Sequence, residues 1–410
     1  MEHFTMFKRS VVALVISGAL GGAYAADTPL ANPMGDLGLK LLRQTAVPAA
    51  GAMGNAVVSP LSLAVALGLL QQGTQGTTQT ELEQLVAPSA AQGKALYALH
   101  LPAWQEELRK SSAVTLANRI WVDQTLKEAL QPAYVDAART RYGAEPGALA
   151  FKEPETARNT LNTWVSEQTR KQVPELLPAG SISSASRLVV TNAVHFASRW
   201  VQPFDPMRTQ LRPFTLENGT QVEARTLQAD REVQVAQLAA DRAWVMELPF
   251  EGQAFSLLVA MPTDKQPLSS FIGKLKGADL ARWRTQLKPQ SCTLNLPRFE
   301  LLPAPRSLKA SLQTMGVKTV FGPHADLTAM LTPSAAQGLH AQDIYQSASL
   351  RVDETGGVAA AATAAVVSVK GMPAASPPCA VVDRPFLFAL IHKASGAPLF
   401  VGRVLNPLQN

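Results

Sequence analysis

The sequence predicts an α+β protein in which helices pack on large sheets. Three observations carry this. Helical patterns dominate the first half, apolar strand-like runs grow dense after about Arg187, and no internal repeat or long low-complexity linker separates the two regions. With 410 residues, 47% of them hydrophobic, the chain has ample material for a large core. Length alone would allow about two or three domains. No apolar run is long enough for a membrane-spanning helix.

The elements follow in order. Lys8 and Arg9 form a positive end, Val11 to Leu20 a short Gly-interrupted apolar stretch, and Ala23-Tyr24-Ala25 a small-residue cleavage pattern. This predicts a signal peptide over residues 1–25 and an exported chain, secreted or periplasmic, from Ala26. The clearest helix start is Ser59-Pro60. Ser59 can cap, and Pro60 occupies the first position, where no N–H is needed. Leu63, Leu67 and Leu70 share a face, and Gly73 ends the segment. Thr78 and Glu81 have capping-box spacing and predict a second helix starting at Thr78. A third is expected from about Thr156 to Gln172, with Leu161, Trp164 and Val165 as its apolar side.

Strands are expected at Leu188 to Phe196, Trp244 to Leu248, Phe255 to Met261 and Leu294 to Phe299. A final pair, Phe386 to Ile391 and Leu399 to Val404, flanks Ser395-Gly396. Phe214 to Val222 reads as a hairpin around Asn218-Gly219. Asn218-Gly219-Thr220 is also a glycosylation triplet, although the turn explains it without a sugar.

Composition narrows the function. The net charge is +6, but Lys and Arg are scattered and form no block or aromatic-interleaved stripe, so no nucleic-acid partner is expected. The six histidines His3, His100, His195, His324, His340 and His392 lie in no HExxH motif, and no GxSxG elbow, Walker loop or GxGxxG is present. No enzyme activity, metal or cofactor is expected. Cys292 and Cys379 form no CxxC pair, and two buried or partly buried free thiols are the expectation.

One segment is unusual. From Gly356 to Val369 every residue is Gly, Ala, Val, Thr or Ser, with no charge and no Pro. Lys370-Gly371 then lead into Pro373, Pro377 and Pro378. By composition the segment fits a helix, since Ala favours helices, or a permanent central strand. Neither explains why it ends in a polar, Pro-rich connector.

Glu354, Gly356 and Ala359-Ala360-Ala361-Ala362-Thr363 resemble the proximal hinge of the reactive loop of inhibitory serpins. The resemblance extends in ordered islands over about residues 35 to 408. These include Asn55 to Ser62, Gly73 to Thr77, Thr191 to Phe196 with Trp200 and Phe204, and Leu248-Pro249-Phe250-Glu251-Gly252. Further on come Leu296 to Phe299, Leu312 to Gly316, Phe321, Ala325 to Leu327, Arg384 to Phe388, Leu399 to Arg403 and Asn406-Pro407. The resemblance implies one domain over residues 26–410. It would hold a large central mixed β-sheet, two further sheets, about eight to nine helices and an exposed reactive loop near residues 354–378.

It also implies a mechanism. A target serine or cysteine protease attacks a loop bond, forming an acyl-enzyme. The segment before the cut enters the sheet as a new strand, and the covalently attached protease is distorted before it can deacylate. Serpin loop insertion is itself a standard example of strand addition and strain release. The residue types suit that act: an inserted strand needs an N–H throughout, so Pro is excluded. Unpaired charges on its core face would be costly, and small side chains enter a closing gap most easily. Glycines at 356 and 357 free the backbone where insertion starts.

Ser59, Ser62 and Asn192 are implied to form a polar latch under the sheet opening, and Trp200 to sit at the top of the sheet. The sequence departs from the family pattern in places. Gln346-Ser347 stand where a His-Lys pair is common, so the latch lacks its usual imidazole, although Gln346 can still hydrogen-bond. Gly357 and Val358 replace a usual Thr or Ser and Glu. Counting forward from the hinge places the scissile bond at Lys370-Gly371, which suits trypsin-like targets. Counting back from Pro385 gives Ala374-Ala375, because the connector is a few residues longer than the common pattern. Val369 and Met372 are secondary sites. The expected protein is a monomer whose partner is a protease, with a non-inhibitory binding, chaperone or structural role as the alternative.

Overall fold

The computed structural model describes residues 28–45, 54–357 and 378–409. The signal-peptide residues and loop residues Ala359, Ala360, Ala361, Ala362, Thr363, Lys370 and Gly371 lie outside the described residues.

The first half carries helices α1 (Ala31–Gln44), α2 (Pro60–Gln72), α3 (Gly76–Val86), α4 (Ala90–Ala95), α5 (Leu101–Arg109), α6 (Pro132–Tyr142) and α7 (Pro154–Gln168). Strands β1 (Ala56–Val58), β2 (Val114–Asp123) and β3 (Gly147–Leu149) lie among them. The strand-rich half opens with β4 (Leu188–Phe196), β5 (Ser198–Arg199), β6 (Gln210–Thr215), β7 (Gln221–Leu238), β8 (Ala243–Pro249) and β9 (Phe255–Pro262). After α8 (Leu268–Lys274) and α9 (Gly277–Gln286) come β10 (Lys288–Pro297), β11 (Phe299–Leu301), β12 (Arg306–Ser307), α10 (Lys309–Thr314) and α11 (Pro333–Ala336). The chain then forms β13 (Ile344–Ala348), β14 (Leu350–Val352), β15 (Gly356–Gly357), β16 (Pro378–Val381), β17 (Phe386–His392) and β18 (Pro398–Val404).

Two sheets dominate. A five-stranded mixed sheet has the order β12-β13-β4-β2-β3, and a nine-stranded sheet runs β1-β18-β17-β9-β8-β7-β10-β16, with β6 beside β7. Two small two-stranded sheets, β11-β14 and β15-β5, complete the set. Helix α2 packs against β18 of the larger sheet and against β2, β4 and β13 of the smaller. That position explains its sequence: Pro60 through Gln71 are all buried, so it is apolar on every side rather than on one stripe.

Most local expectations hold. Ser59 caps α2, its Oγ accepting from the Ser62 N–H at 3.1 Å, and Gly73 closes the helix. Strand β4 spans Leu188–Phe196, and β6 and β7 form the hairpin, with Gly219 at φ 83°. The helix predicted from Thr78 begins instead at Gly76 after Gln75, which makes no side-chain cap. The capping-box residues are drawn into tertiary bonds. The Glu81 carboxylate accepts from the Lys318 and Thr319 N–H groups at 2.8 Å, and Thr78 Oγ1 accepts from the Asp326 N–H at 3.0 Å. Helix α7 starts at Pro154, which takes the first turn without an N–H to lose. It stops at Gln168, before Arg170 and Lys171 adopt φ of 53° and 64°.

The free-thiol expectation is wrong. Cys292 on β10 and Cys379 on β16 form a disulfide, with Cα atoms 5.6 Å apart and a sequence separation of 87. Parallel pairing places Thr293 beside Pro378, and this brings the two cysteines together. Spacing along the chain carried no hint of that pairing.

Candidate functional site

The site is an opening between two parallel strands. Strands β13 and β4 pair from Ile344↔Val190 to Ala348↔Val194. Beyond that level they separate. The continuation of β13, strand β14, pairs with β11, while β5, the continuation of β4, pairs with β15. The chain climbs β13 and β14, turns at Asp353 to Thr355, and heads back as Gly356–Gly357, antiparallel to Ser198–Arg199. A returning strand is therefore already seated along the rim of the opening.

The turn is tightly held. The Asp353 carboxylate accepts from the Thr355 N–H at 2.8 Å, the Thr355 hydroxyl at 2.6 Å and the Gly356 N–H at 3.2 Å. The Asp353 N–H donates to the Gly356 carbonyl at 3.0 Å. Gly356 has φ 155°, and a Cβ there would collide with the Ser198 carbonyl, so only glycine fits. Gly357 is different. It does not have positive φ, but a Cβ would lie 3.2 Å from Phe196 and 3.5 Å from Phe250. Packing, rather than backbone freedom, explains this second glycine.

Trp200 fixes the turn from below. Its indole N–H donates to the Asp353 carbonyl at 2.8 Å and its backbone N–H to the Thr355 carbonyl at 2.9 Å. The ring stacks on Phe250 with centroids 4.4 Å apart, and Phe250 meets Phe196 edge-on at 4.9 Å. Glu354 is held too: its carboxylate accepts from the Thr209 hydroxyl at 2.9 Å and pairs with Arg298 at 3.4 Å. Its carbonyl accepts from the Phe204 N–H at 2.8 Å.

Ser59, Ser62 and Asn192 form one cluster beneath the paired part of β13 and β4, all fully buried. The Ser62 hydroxyl donates to the Asn192 side-chain carbonyl, and the Asn192 amide donates back to the Ser62 backbone carbonyl and, at 2.6 Å, to Asn118. Ser59 Oγ donates to the Leu399 carbonyl at 2.7 Å. Gln346 occupies the place of the missing imidazole. Its amide donates to the Ser59 carbonyl at 3.0 Å and its carbonyl accepts from the Ser59 N–H at 3.4 Å. Gln346 and Asn192 are register partners across β13 and β4, so this cluster bridges the two strands that flank the opening.

Sequence reasoning missed Asp353, whose side chain holds the turn, and Asn118, which extends the cluster onto β2. An Asp two residues before Thr355 is an Asx-turn signal and was legible. Asn118 gave no local signal. Among the described residues no group of His, Cys, Asp or Glu is placed to hold a metal ion, and no helix is long and apolar enough to cross a membrane.

A mixed sheet with a returning strand at its rim frames the site, and comparison with known proteins names the class. The family model Serpin (serine protease inhibitor) matches residues 32–407, so the chain belongs to the serpin family. It is 31% identical to glia-derived nexin of Rattus norvegicus, over 86% of this chain and 88% of the relative. It is 30% identical to leukocyte elastase inhibitor of Sus scrofa, over 86% and 93% of the two chains. Among solved structures, native protease nexin-1 with heparin superposes with a TM-score of 0.78 at 27% identity, covering 92% of this chain and 98% of that one. Human thyroxine-binding globulin shares the fold at a TM-score of 0.80 and 22% identity, over 92% and 98% of the chains. The fold alone therefore does not specify protease inhibition, which is supported by the family and by inhibitory relatives.

Proposed function

We propose that the protein is an irreversible suicide-substrate inhibitor of serine endopeptidases, trypsin-like ones foremost, with cysteine proteases as further targets. It acts as a bait and trap rather than a catalyst. The observation that carries this reading is the antiparallel pairing of Gly356–Gly357 with Arg199–Ser198 at the rim of the opening. Continuing that register would run the loop down β4 until Val367 stood opposite Leu188, the first residue of β4. Gly357 packs toward Phe196 and Phe250. By strand alternation Ala359, Ala361, Thr363, Ala365 and Val367 would share its core-facing side. All are small or β-branched and uncharged, as a strand entering between β4 and β13 requires.

Attack after Lys370 would leave the acyl-linked lysine at the end of the inserted strand, so the protease would be carried along the sheet. A trypsin-like protease is expected to give an adduct that survives boiling in detergent, with cleavage after Lys370 found by mass spectrometry. Cleavage without adduct for every protease class would remove this reading. A non-inserting relative with a carrier or structural role would show no rise in unfolding temperature after loop cleavage, whereas an inserting loop raises it. The reading includes a monomer and export through the predicted signal peptide. The Cys292–Cys379 disulfide suits an oxidising compartment.

The buried cluster at Ser59, Ser62, Asn192 and Gln346 acts in this reading as the latch between β13 and β4. Asn192→Ala leaves Ser62 and Asn118 without their partner, at a cost of about 1–3 kcal/mol. It is expected to lower the unfolding midpoint and to speed heat-induced polymerisation. An unchanged polymerisation rate would remove the latch role.

A further inference from the structure

The disulfide sits where the loop rejoins the protein. Strand β16 begins at Pro378, one residue before Cys379, and pairs in parallel with β10 at Thr293↔Pro378, Leu294↔Ala380 and Asn295↔Val381. Two further hydrogen bonds anchor this strand and its end beyond the ladder with β10. The Val382 N–H donates to the Asn295 carbonyl at 2.9 Å, and the Trp244 indole N–H donates to the Cys379 carbonyl at 3.2 Å. The covalent bond to Cys292 is a restraint of a different order.

The disulfide lies at the same end of the molecule as the sheet opening. Cys292 is the register partner of Arg231 on β7, and the Arg231 guanidinium lies 3.9 Å from the centre of the Phe204 ring. Phe204 packs edge-on against Trp200, which binds the Asp353 and Thr355 carbonyls.

Chain length then sets a limit. The fourteen residues from Gly357 to Lys370 would form an inserted strand about 45 Å long at about 3.3 Å per residue. If the loop were uncut, the chain would have to return from the far end of that strand to Cys379. The nine steps from Lys370 to Cys379 reach at most about 32 Å. That is too short. With β16 peeled from β10, the fifteen steps to Pro385 reach about 54 Å, which is enough. A cut loop meets no such limit, because its two ends move apart freely.

We propose that the Cys292–Cys379 disulfide is a redox-controlled clamp that keeps the uncut loop from inserting in full, so that oxidised protein stays active and reduced protein inactivates itself. The inference rests on the loop-insertion reading above. The switch is an ordinary thiol–disulfide exchange with an external dithiol. Cys292 is fully buried, while Cys379 is partly exposed and lines an open groove of about 310 Å³ with Trp244, Met261 and Val381. A dithiol thiolate attacks the Cys379 sulfur, the Cys379–Cys292 bond breaks, and Cys292 leaves as a thiolate that takes up a proton. The second dithiol sulfur closes on the first and releases Cys379 as a thiolate, which also takes up a proton. Two electrons pass to the protein, and the dithiol becomes a cyclic disulfide.

The test compares three samples at 37 °C: oxidised protein, protein reduced with dithiothreitol and alkylated, and the variant C292A/C379A. C379S serves as a milder variant should the double one fold poorly. Each is aged, then assayed for adduct formation, intact mass, monomer content and unfolding midpoint. Loss of the disulfide is expected to shorten the active lifetime at least tenfold. The aged chain should be uncut and monomeric, with its midpoint raised toward that of loop-cleaved protein. Lifetimes within twofold of each other would overturn the clamp, as would loss of activity through aggregation without a heat-stable uncut monomer. Adduct formation at time zero reports on the inhibitor reading separately. If no fresh sample traps a protease, the intact-mass and midpoint measurements still decide whether the disulfide restrains the loop.

Discussion

Gly357→Arg is expected to turn the inhibitor into a substrate. Gly357 is buried at the first turn of the returning strand, and even a methyl there would lie 3.2 Å from Phe196 and 3.5 Å from Phe250. An arginine cannot stay in that slot without leaving its charge unpaired among aromatic rings, which costs several kcal/mol. The strand would be held out of the sheet. After cleavage, insertion competes with hydrolysis of the acyl bond. A penalty of about 3 kcal/mol on insertion shifts that competition about 100-fold toward hydrolysis. The protease should therefore emerge active, with the variant cut after Lys370 and almost no adduct on a denaturing gel. Gly357→Ala is the matched control: the added methyl needs only a small shift of the Phe196 ring, so adduct formation should persist. Wild-type adduct yield from Gly357→Arg would mean that the loop does not enter along β4 through this position.

The largest effect on stability is expected at Glu247→Ala. Glu247 on β8 and Arg284 on α9 form an ion pair with side chains only 3% and 2% exposed. Arg284 Nε donates to both carboxylate oxygens at 3.3 Å and Nη2 to one at 3.2 Å, and the Ser256 hydroxyl donates to the same carboxylate. Removing the carboxylate takes the Glu247 counter-charge away from a buried guanidinium, at a cost of about 3–5 kcal/mol. Urea unfolding of the variant should show a loss of that size. The double variant E247L/R284M, which fills the site with apolar side chains, should recover most of it, because it removes both desolvation costs together. A loss below about 1 kcal/mol for Glu247→Ala would mean that the arginine is satisfied by other partners.

The hinge illustrates how far sequence reasoning reached. Resemblance pointed to Glu354, Gly356 and Gly357, and all three lie at the rim of the opening, with Trp200 beneath them. The two glycines were expected to serve one purpose, backbone freedom. Only Gly356 needs it, at φ 155°; Gly357 is glycine because two phenylalanine rings leave little room for a side chain. Gln346 was expected only to be capable of hydrogen bonding. Its two bonds to the Ser59 backbone could not be counted until β13 and α2 were placed side by side.

The sequence by itself determined the features that depend on neighbours in the chain. Ser59-Pro60 set the start of α2, Asn218-Gly219 set the β6–β7 turn, and composition set apart the uncharged, proline-free run from Gly356 to Val369. Such features rest on capping, turn chemistry and composition, which act within a few residues. Tertiary structure alone decided the Thr78–Glu81 segment, whose side chains bond to residues near 318 and 326 rather than opening a helix. It alone decided the Cys292–Cys379 bond, because two thiols 87 residues apart meet only where β10 and β16 lie in register. The loop's composition was local information, whereas the clamp at its far end is a product of strand pairing.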